Sequence, residues 1–348
     1  MRFSFFAGVL VVAALPAMAQ TPNGEPPKTG RKAWTAPRTT DGQPDLQGVW
    51  WNSSATPLER PKALEGKPLL TDEELTEFKK RAARLFDVHV DSDFAGGDNY
   101  FLALLANPER YKNPNSTGTS VEMVEREFEH RTSLVVDPAD GRIPPLTPEG
   151  RQRVRTRPTP TAAGQGPPAG PEDLSNPLRC ITYGIPKLGG NSANNSYFQI
   201  LQTPGYVVLS GEVIHDVRLI PLDGRSHLSR GVRQWHGDSR GRWEGNTLVV
   251  DTTNFSSQSD FMGSAENLHL VERFTRTAAD TLSYEITLDD PTTWTKPWTA
   301  VIRLRQTPIP LYEVACHEGN FYTMEGMLRG ARAEEQRAAA RTQKSQAK

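Results

Sequence analysis

The chain has 348 residues, 36% hydrophobic and 23% charged, with 40 Lys and Arg against 41 Asp and Glu for a net charge of −1. That balance lacks the positive field a nucleic-acid partner or an anionic membrane surface requires, and so excludes both classes. Gly and Pro number 28 each, above average usage, which excludes a fold of mostly long helices and predicts short strands and many turns.

The N-terminus reads as an export signal. Arg2 precedes an apolar run, Phe3 to Leu15, and Ala17-Met18-Ala19 forms a small-x-small cleavage site. The run is too short to span a bilayer, and no later stretch reaches the roughly 20 apolar residues a membrane span needs. Residues 1–19 are therefore expected to be a signal peptide and the protein to be periplasmic or extracellular. In an oxidising compartment Cys180 and Cys316 allow one disulfide; the alternative is two buried free thiols.

Residues 20–44, rich in Pro, Thr, Gly and Lys, predict a flexible leader. An N-terminal strand and helix region follows over 45–143. Asp45–Trp51 reads as a first strand, and its Gly48-Val49-Trp50 resembles the opening of lipocalin-type barrels. Thr71 to Val88 predicts a helix with a capping box, Thr71 with Glu74, and an apolar face of Leu75, Phe78, Ala82, Leu85 and Phe86. Asp87, Asp91, Asp93 and Asp98 follow without calcium-loop spacing and read as a solvated loop. Arg131–Asp137 reads as a strand. The stretch 144–178, with Arg151, Arg153, Arg155 and Arg157, reads as a Pro-rich loop or linker.

Residues 179–322 predict a β-rich core. Strand-like runs separated by turn signals lie at Tyr197–Gln202, Tyr206–Ser210, Glu212–Pro221, Arg240–Glu244, Thr247–Thr253, Leu268–Thr275, Thr281–Leu288, Trp298–Arg305 and Leu311–His317. This spacing predicts a mainly β fold, an antiparallel meander closed into a barrel or packed as a sandwich. Leu282, Tyr284, Ile286 and Leu288 share one face, as do Trp298, Ala300, Ile302 and Leu304. Residues 323–348 predict a C-terminal helix and tail.

The same alternation selects candidate chemistry. Taking Val213, Val217 and Leu219 as an apolar face directs His215 inward and leaves Glu212, Asp216 and Arg218 outside. Glu272 falls on the inner face set by Leu268, Leu270 and Phe274. An imidazole and a carboxylate in an apolar interior suit acid–base work if paired, and otherwise read as hydrogen-bonded core groups. Trp235-His236-Gly237-Asp238, running to Arg242-Trp243-Glu244, is the densest polar and aromatic segment. Trp235, His236, Arg242, Trp243 and Glu244 are candidate ligand-binding residues, and Asp238 is a candidate to orient a substrate. The alternative is a capped hairpin. No metal-ligand spacing, nucleotide fingerprint or nucleophile elbow is present, so no cofactor is assigned.

Several blocks occur together: Asp137–Glu149, Gly211–Arg218, Trp235–Gly245 running into Thr247–Phe255, Ser264–Phe274, Asp290–Trp298 and Tyr312–Asn320. Together they resemble a large uncharacterised family of exported bacterial proteins. The resemblance implies export and carries no reaction, cofactor or catalytic residue. His236 stands where that family has Met, which implies that His236 is not a family-wide catalytic group. The leading expectation is an exported protein that binds a small apolar, aromatic or sugar-like compound. The alternatives are an exported hydrolase or lyase using His215 and Glu272, and an interaction protein of the cell envelope.

Overall fold

The computed structural model describes residues 34–85, 101, 105, 127–156, 168, 170–186, 197–214, 216–313 and 315–346. The expected signal peptide, most of the leader, Phe86, the four aspartates, Arg157 and His215 lie outside the described residues. Residues 35–348 form one compact unit, described below; of the other, 1–34, only Trp34 is described.

Strand alternation organises the unit into one antiparallel sheet of ten strands. They are β1 (Gly48–Asn52), β2 (Val135–Asp137), β3 (Tyr197–Thr203), β4 (Tyr206–Gly211), β5 (Val217–Pro221), β6 (Asp238–Glu244), β7 (Thr247–Thr253), β8 (His269–Ala278), β9 (Thr281–Asp289) and β10 (Trp298–Thr307). The order is β5-β4-β3-β1-β10-β9-β8-β7-β6, with β2 added alongside β10. Two meanders, β3–β5 and β6–β10, are thus joined through the first strand. Val49 of β1 stands opposite Gln199 on one side and Thr307 on the other.

The sheet curls until its two end strands approach and the barrel is nearly closed. Gly241 of β6 sits at this seam, where a methyl group would lie 2.5 Å from Leu222 Cδ2 and 2.8 Å from Ile220 Cγ2. The expected inward rows of β9 and β10 are both buried, from Leu282 to Leu288 and from Trp298 to Leu304. With Trp50, Phe198, Ile200, Leu248 and Phe274 they fill the interior. One cavity among them, lined by Phe198, Arg218 and Tyr284, is about 20 Å³, room for one water molecule.

The first helix, α1 (Asp72–Leu85), starts as its capping box dictates. Glu74 N donates to Thr71 Oγ1 at 3.2 Å and Thr71 N donates to Glu74 Oε2 at 2.9 Å. Phe78 and Ala82 pack with Leu70, Ala55 and Phe101 in a satellite cluster. The expected linker contains a helix, α2 (Pro148–Thr156). Thr147 caps its start, with Gly150 N donating to Thr147 Oγ1 at 2.9 Å, and Arg153 ties it to the barrel end at Gly263 O and Thr292 O, both 2.9 Å.

The last expected strand, Leu311–His317, is absent among its described residues. A helix, α3 (Cys316–Gln346), begins there instead. The Cys180–Cys316 disulfide, with 5.9 Å between Cα atoms and 136 residues between the partners, fixes its start. No described helix is long and apolar enough to cross a membrane.

Strand β5 corrects the sequence reading. The alternation is present in the opposite sense: Asp216, Arg218 and Ile220 are buried, while Val217 and Leu219 are 53% and 61% exposed. A loop with Ile214 at φ +59°, closed by Gly211 N to Asp216 O at 2.8 Å, separates Val213 from the strand. The two apolar positions after it therefore do not continue the face before it. The arginine turns inward because the interior holds a carboxylate that needs it.

Candidate functional site

One end of the barrel carries the chemistry. There β4 ends, β5 and β6 begin, β7 ends and β8 begins. A cleft of about 690 Å³ opens at this end, between the segment 174–185 and the loops at 235 and 255–268. That volume suits a small organic molecule. Aromatic walls come from Tyr183, Trp235, Phe255 and Phe261, and polar ones from Arg153, Arg179, Glu172 and Asp260. Asn176 Nδ2 donates to Gln258 O at 2.9 Å and ties the two walls together.

The loop wall has a rigid foundation. Buried Asp290 accepts from Ser264 Oγ and Thr293 Oγ1, both at 2.6 Å, and from Thr292 N at 2.9 Å. Burial by itself raises the Asp290 carboxyl, but these donors outweigh it and hold the group below the ordinary aspartate value. Arg153 Nη2 reaches Thr293 Oγ1 at 2.7 Å from the other side.

Under the cleft floor formed by Thr182 and Tyr183, Asp216 collects donors from two segments. Thr182 Oγ1 donates to Asp216 Oδ2 at 3.0 Å, Tyr183 N donates to the same oxygen at 3.1 Å, and His236 Nε2 lies 3.2 Å from Oδ1. His236 Nε2 also lies 2.7 Å from Thr182 Oγ1. Both contacts use one ring nitrogen. A relay that activates a hydroxyl nucleophile needs the carboxylate and the hydroxyl on opposite nitrogens, so this arrangement orients the Thr182 turn rather than charging its oxygen. Gly237 (φ +66°) turns the chain after His236, where a methyl group would lie 2.5 Å from Thr253 O.

Behind the floor, inside the barrel, Glu272 is held by Arg218 through two hydrogen bonds of 2.5 and 2.9 Å and by Tyr284 Oη at 2.5 Å. Burial lowers the Arg218 guanidinium; Glu272, then Tyr284 and Asp216, more than reverse this, so its value is raised and it stays charged. Glu272 faces inward as expected, with Arg218 and Tyr284 as partners. Both of its oxygens are engaged, which makes it a structural anion in this geometry.

Asp238 lies in a separate chain of groups along the barrel wall. His227 Nδ1 is 3.0 Å from Asp238 Oδ2, His227 Nε2 is 2.9 Å from Asp251 Oδ1, and His269 Nε2 is 3.0 Å from Asp251 Oδ2. Arg240 Nη1 donates to Asp238 Oδ1 at 2.6 Å. The hydrogen bond with His269 is the main cause that lowers Asp251 and raises His269. Among the described residues, no group of three or more His, Cys, Asp or Glu is arranged to hold a metal.

The five expected ligand residues are not brought together. Trp235 lines the cleft and His236 stands beside its floor. Arg242, Trp243 and Glu244 lie about 13 to 20 Å along β6 from its start at Asp238. There Glu244 is paired with Arg242 and Arg273, which lower its carboxyl, the Arg273 hydrogen bond first. Trp243 packs against the core. Sequence reasoning missed Asp216, Arg218, Tyr284, Thr182 and Arg179. The one available signal was Ile220, an apolar residue in phase with Arg218 and Asp216. No protein-family model and no curated protein matches the chain, so its functional reading rests on this geometry.

Proposed function

We propose that the chain is an exported protein that binds a small aromatic or apolar compound in the cleft at the barrel end. The observation that carries this reading is the cleft itself, about 690 Å³ with Trp235, Tyr183 and Phe261 on its walls. Its size lies within the range of small-molecule sites, and aromatic faces supply apolar area with little rotamer entropy to lose. The interior cavity of about 20 Å³ is too small for such a ligand, which favours the mouth of the barrel over its core. Export is supported by the Phe3–Leu15 run with its Ala17-Met18-Ala19 site and by the disulfide.

The test is a thermal-shift and mass-spectrometry screen of the purified protein against aromatic, apolar and sugar-like compounds, repeated with Trp235→Ala. Binding by the native chain that falls at least about tenfold in the variant supports the reading. No bound compound in any class, or equal binding by the variant, overturns it. Turnover of a bound compound that His215→Gln abolishes while binding persists would replace it with the hydrolase or lyase reading.

A further inference from the structure

We infer that the cleft recognises an organic carboxylate on an aromatic body, with Arg179 as the anchor for the anion. This rests on the reading of the cleft as a binding site. Two guanidinium groups line it, Arg153 and Arg179. Arg153 is spent on the wall: Nε donates to Gly263 O at 2.9 Å, Nη1 to Glu149 at 2.6 Å and Nη2 to Thr293 Oγ1 at 2.7 Å. Arg179 is half-buried, and its side chain has no hydrogen-bond or ion-pair partner among the described residues. A guanidinium stripped of part of its water and given no acceptor is costly. A ligand carboxylate supplies the missing acceptors in the two-pronged geometry that matches the guanidinium fork.

The backbone that presents Arg179 is fixed independently of any ligand. Arg179 N donates to Ser175 O and Cys180 N to Pro177 O, both at 3.1 Å, and the next residue is bonded covalently to α3 through Cys316. A donor on a pinned turn loses little entropy when it binds. The acidic groups on the same walls select among anions. Glu172 lies at the exposed rim, and Asp260 Oδ1 accepts from Gly263 N at 3.1 Å. Their charge opposes a dianion such as phosphate more than a monoanion, which favours a single carboxylate. The aromatic surfaces of Tyr183 and Trp235 then take the body of the ligand.

The experiment compares naphthoate with its amide, naphthamide, which has nearly the same shape and no charge. Both are titrated by calorimetry and ligand-observed NMR into the full chain and into Arg179→Gln, Arg179→Lys and Trp235→Ala. The expected result is that naphthoate binds the native chain at least about tenfold tighter than naphthamide. Added salt weakens only the acid, and Arg179→Gln brings the acid down to the level of the amide. Arg179→Lys keeps part of the preference because charge remains while the fork is lost. Equal binding of acid and amide to the native chain overturns the anion inference and leaves the cleft reading standing. So does an acid preference that survives in Arg179→Gln. If neither compound binds the native chain up to its solubility limit, the carboxylate inference falls and the wider screen still decides the cleft reading; if Trp235→Ala binds both unchanged, the cleft reading falls and the inference falls with it.

Discussion

Arg218 and Glu272, 54 residues apart in sequence, face each other inside the barrel through two hydrogen bonds of 2.5 and 2.9 Å. Glu272 is fully buried and Arg218 is 7% exposed. Each charge is tolerable in the interior only because the other is there. Replacing one partner, as in Arg218→Met or Glu272→Leu, leaves an uncompensated charge and is expected to cost about 3–5 kcal/mol. The double replacement removes both charges and is expected to cost much less than the sum of the two. Urea denaturation of the four proteins measures this cycle. A single variant within about 1 kcal/mol of the native protein would mean that water or another group already satisfies the pair.

The disulfide closes 136 residues and anchors the wall that carries Arg179 to α3. Cys180→Ser with Cys316→Ser is expected to destabilise the fold by about 2–5 kcal/mol, through the freedom returned to the unfolded chain. Hydrogen exchange is expected to rise over residues 174–185 and the first turns of α3, and to change little in β8 and β9. Uniform loss of protection across the barrel would contradict this local role.

The Asp251–His269 contact makes stability depend on pH at both ends. His269 is raised above its ordinary 6.5, mainly by the hydrogen bond with Asp251 and less by Asp289. Its contribution is therefore full below 6.5 and is lost as pH rises through the folded-state value. Asp251 is lowered below 3.8, by His269 first and His227 further down. Its contribution is present above 3.8 and is lost as pH falls through the folded-state value. The stability difference between the native chain and His269→Gln is thus expected to be largest between these limits and to shrink on either side. Denaturation midpoints measured across the range check this; a pH-independent difference would sink it.

Gly237 turns the chain between His236 and β6. Its φ is +66°, and a methyl group there would meet Thr253 O at 2.5 Å and Thr252 Cγ2 at 2.7 Å. Backbone oxygen cannot rotate away, so Gly237→Ala is expected to cost about 1–3 kcal/mol. It should also displace His236 from Asp216. Thermal denaturation, with the His236 ring resonances followed by NMR, checks both parts; an unshifted ring in a destabilised protein would separate the turn from the floor of the cleft.

Local pattern carried most of the architecture. Strict alternation in Thr281–Leu288 and Trp298–Arg305 marked both strands and their inner faces, because side chains on a strand alternate whatever the strand packs against. Thr71 and Glu74 marked the start of α1 because a capping box closes within four residues. The same alternation placed Glu272 inside and left its partner unnamed. On β5 it chose the wrong face, because Val217 and Leu219 outnumber Ile220 as apolar positions. The inner face was set by the charge of Glu272, which reaches Arg218 only when β5 and β8 enclose the same interior. The grouping of Trp235, Tyr183 and Arg179 around one cleft was likewise invisible in the chain. It depends on where the disulfide and the ends of β6, β7 and β8 bring separate segments together. The sequence alone determined the β-rich class, most strands and the single pair of cysteines available for bonding. Only the tertiary structure decided which face of β5 is inside, what pairs with each buried charge and where a ligand has room. Strand periodicity and capping are satisfied by neighbours in sequence, whereas a buried charge and a cleft wall are satisfied by neighbours in space.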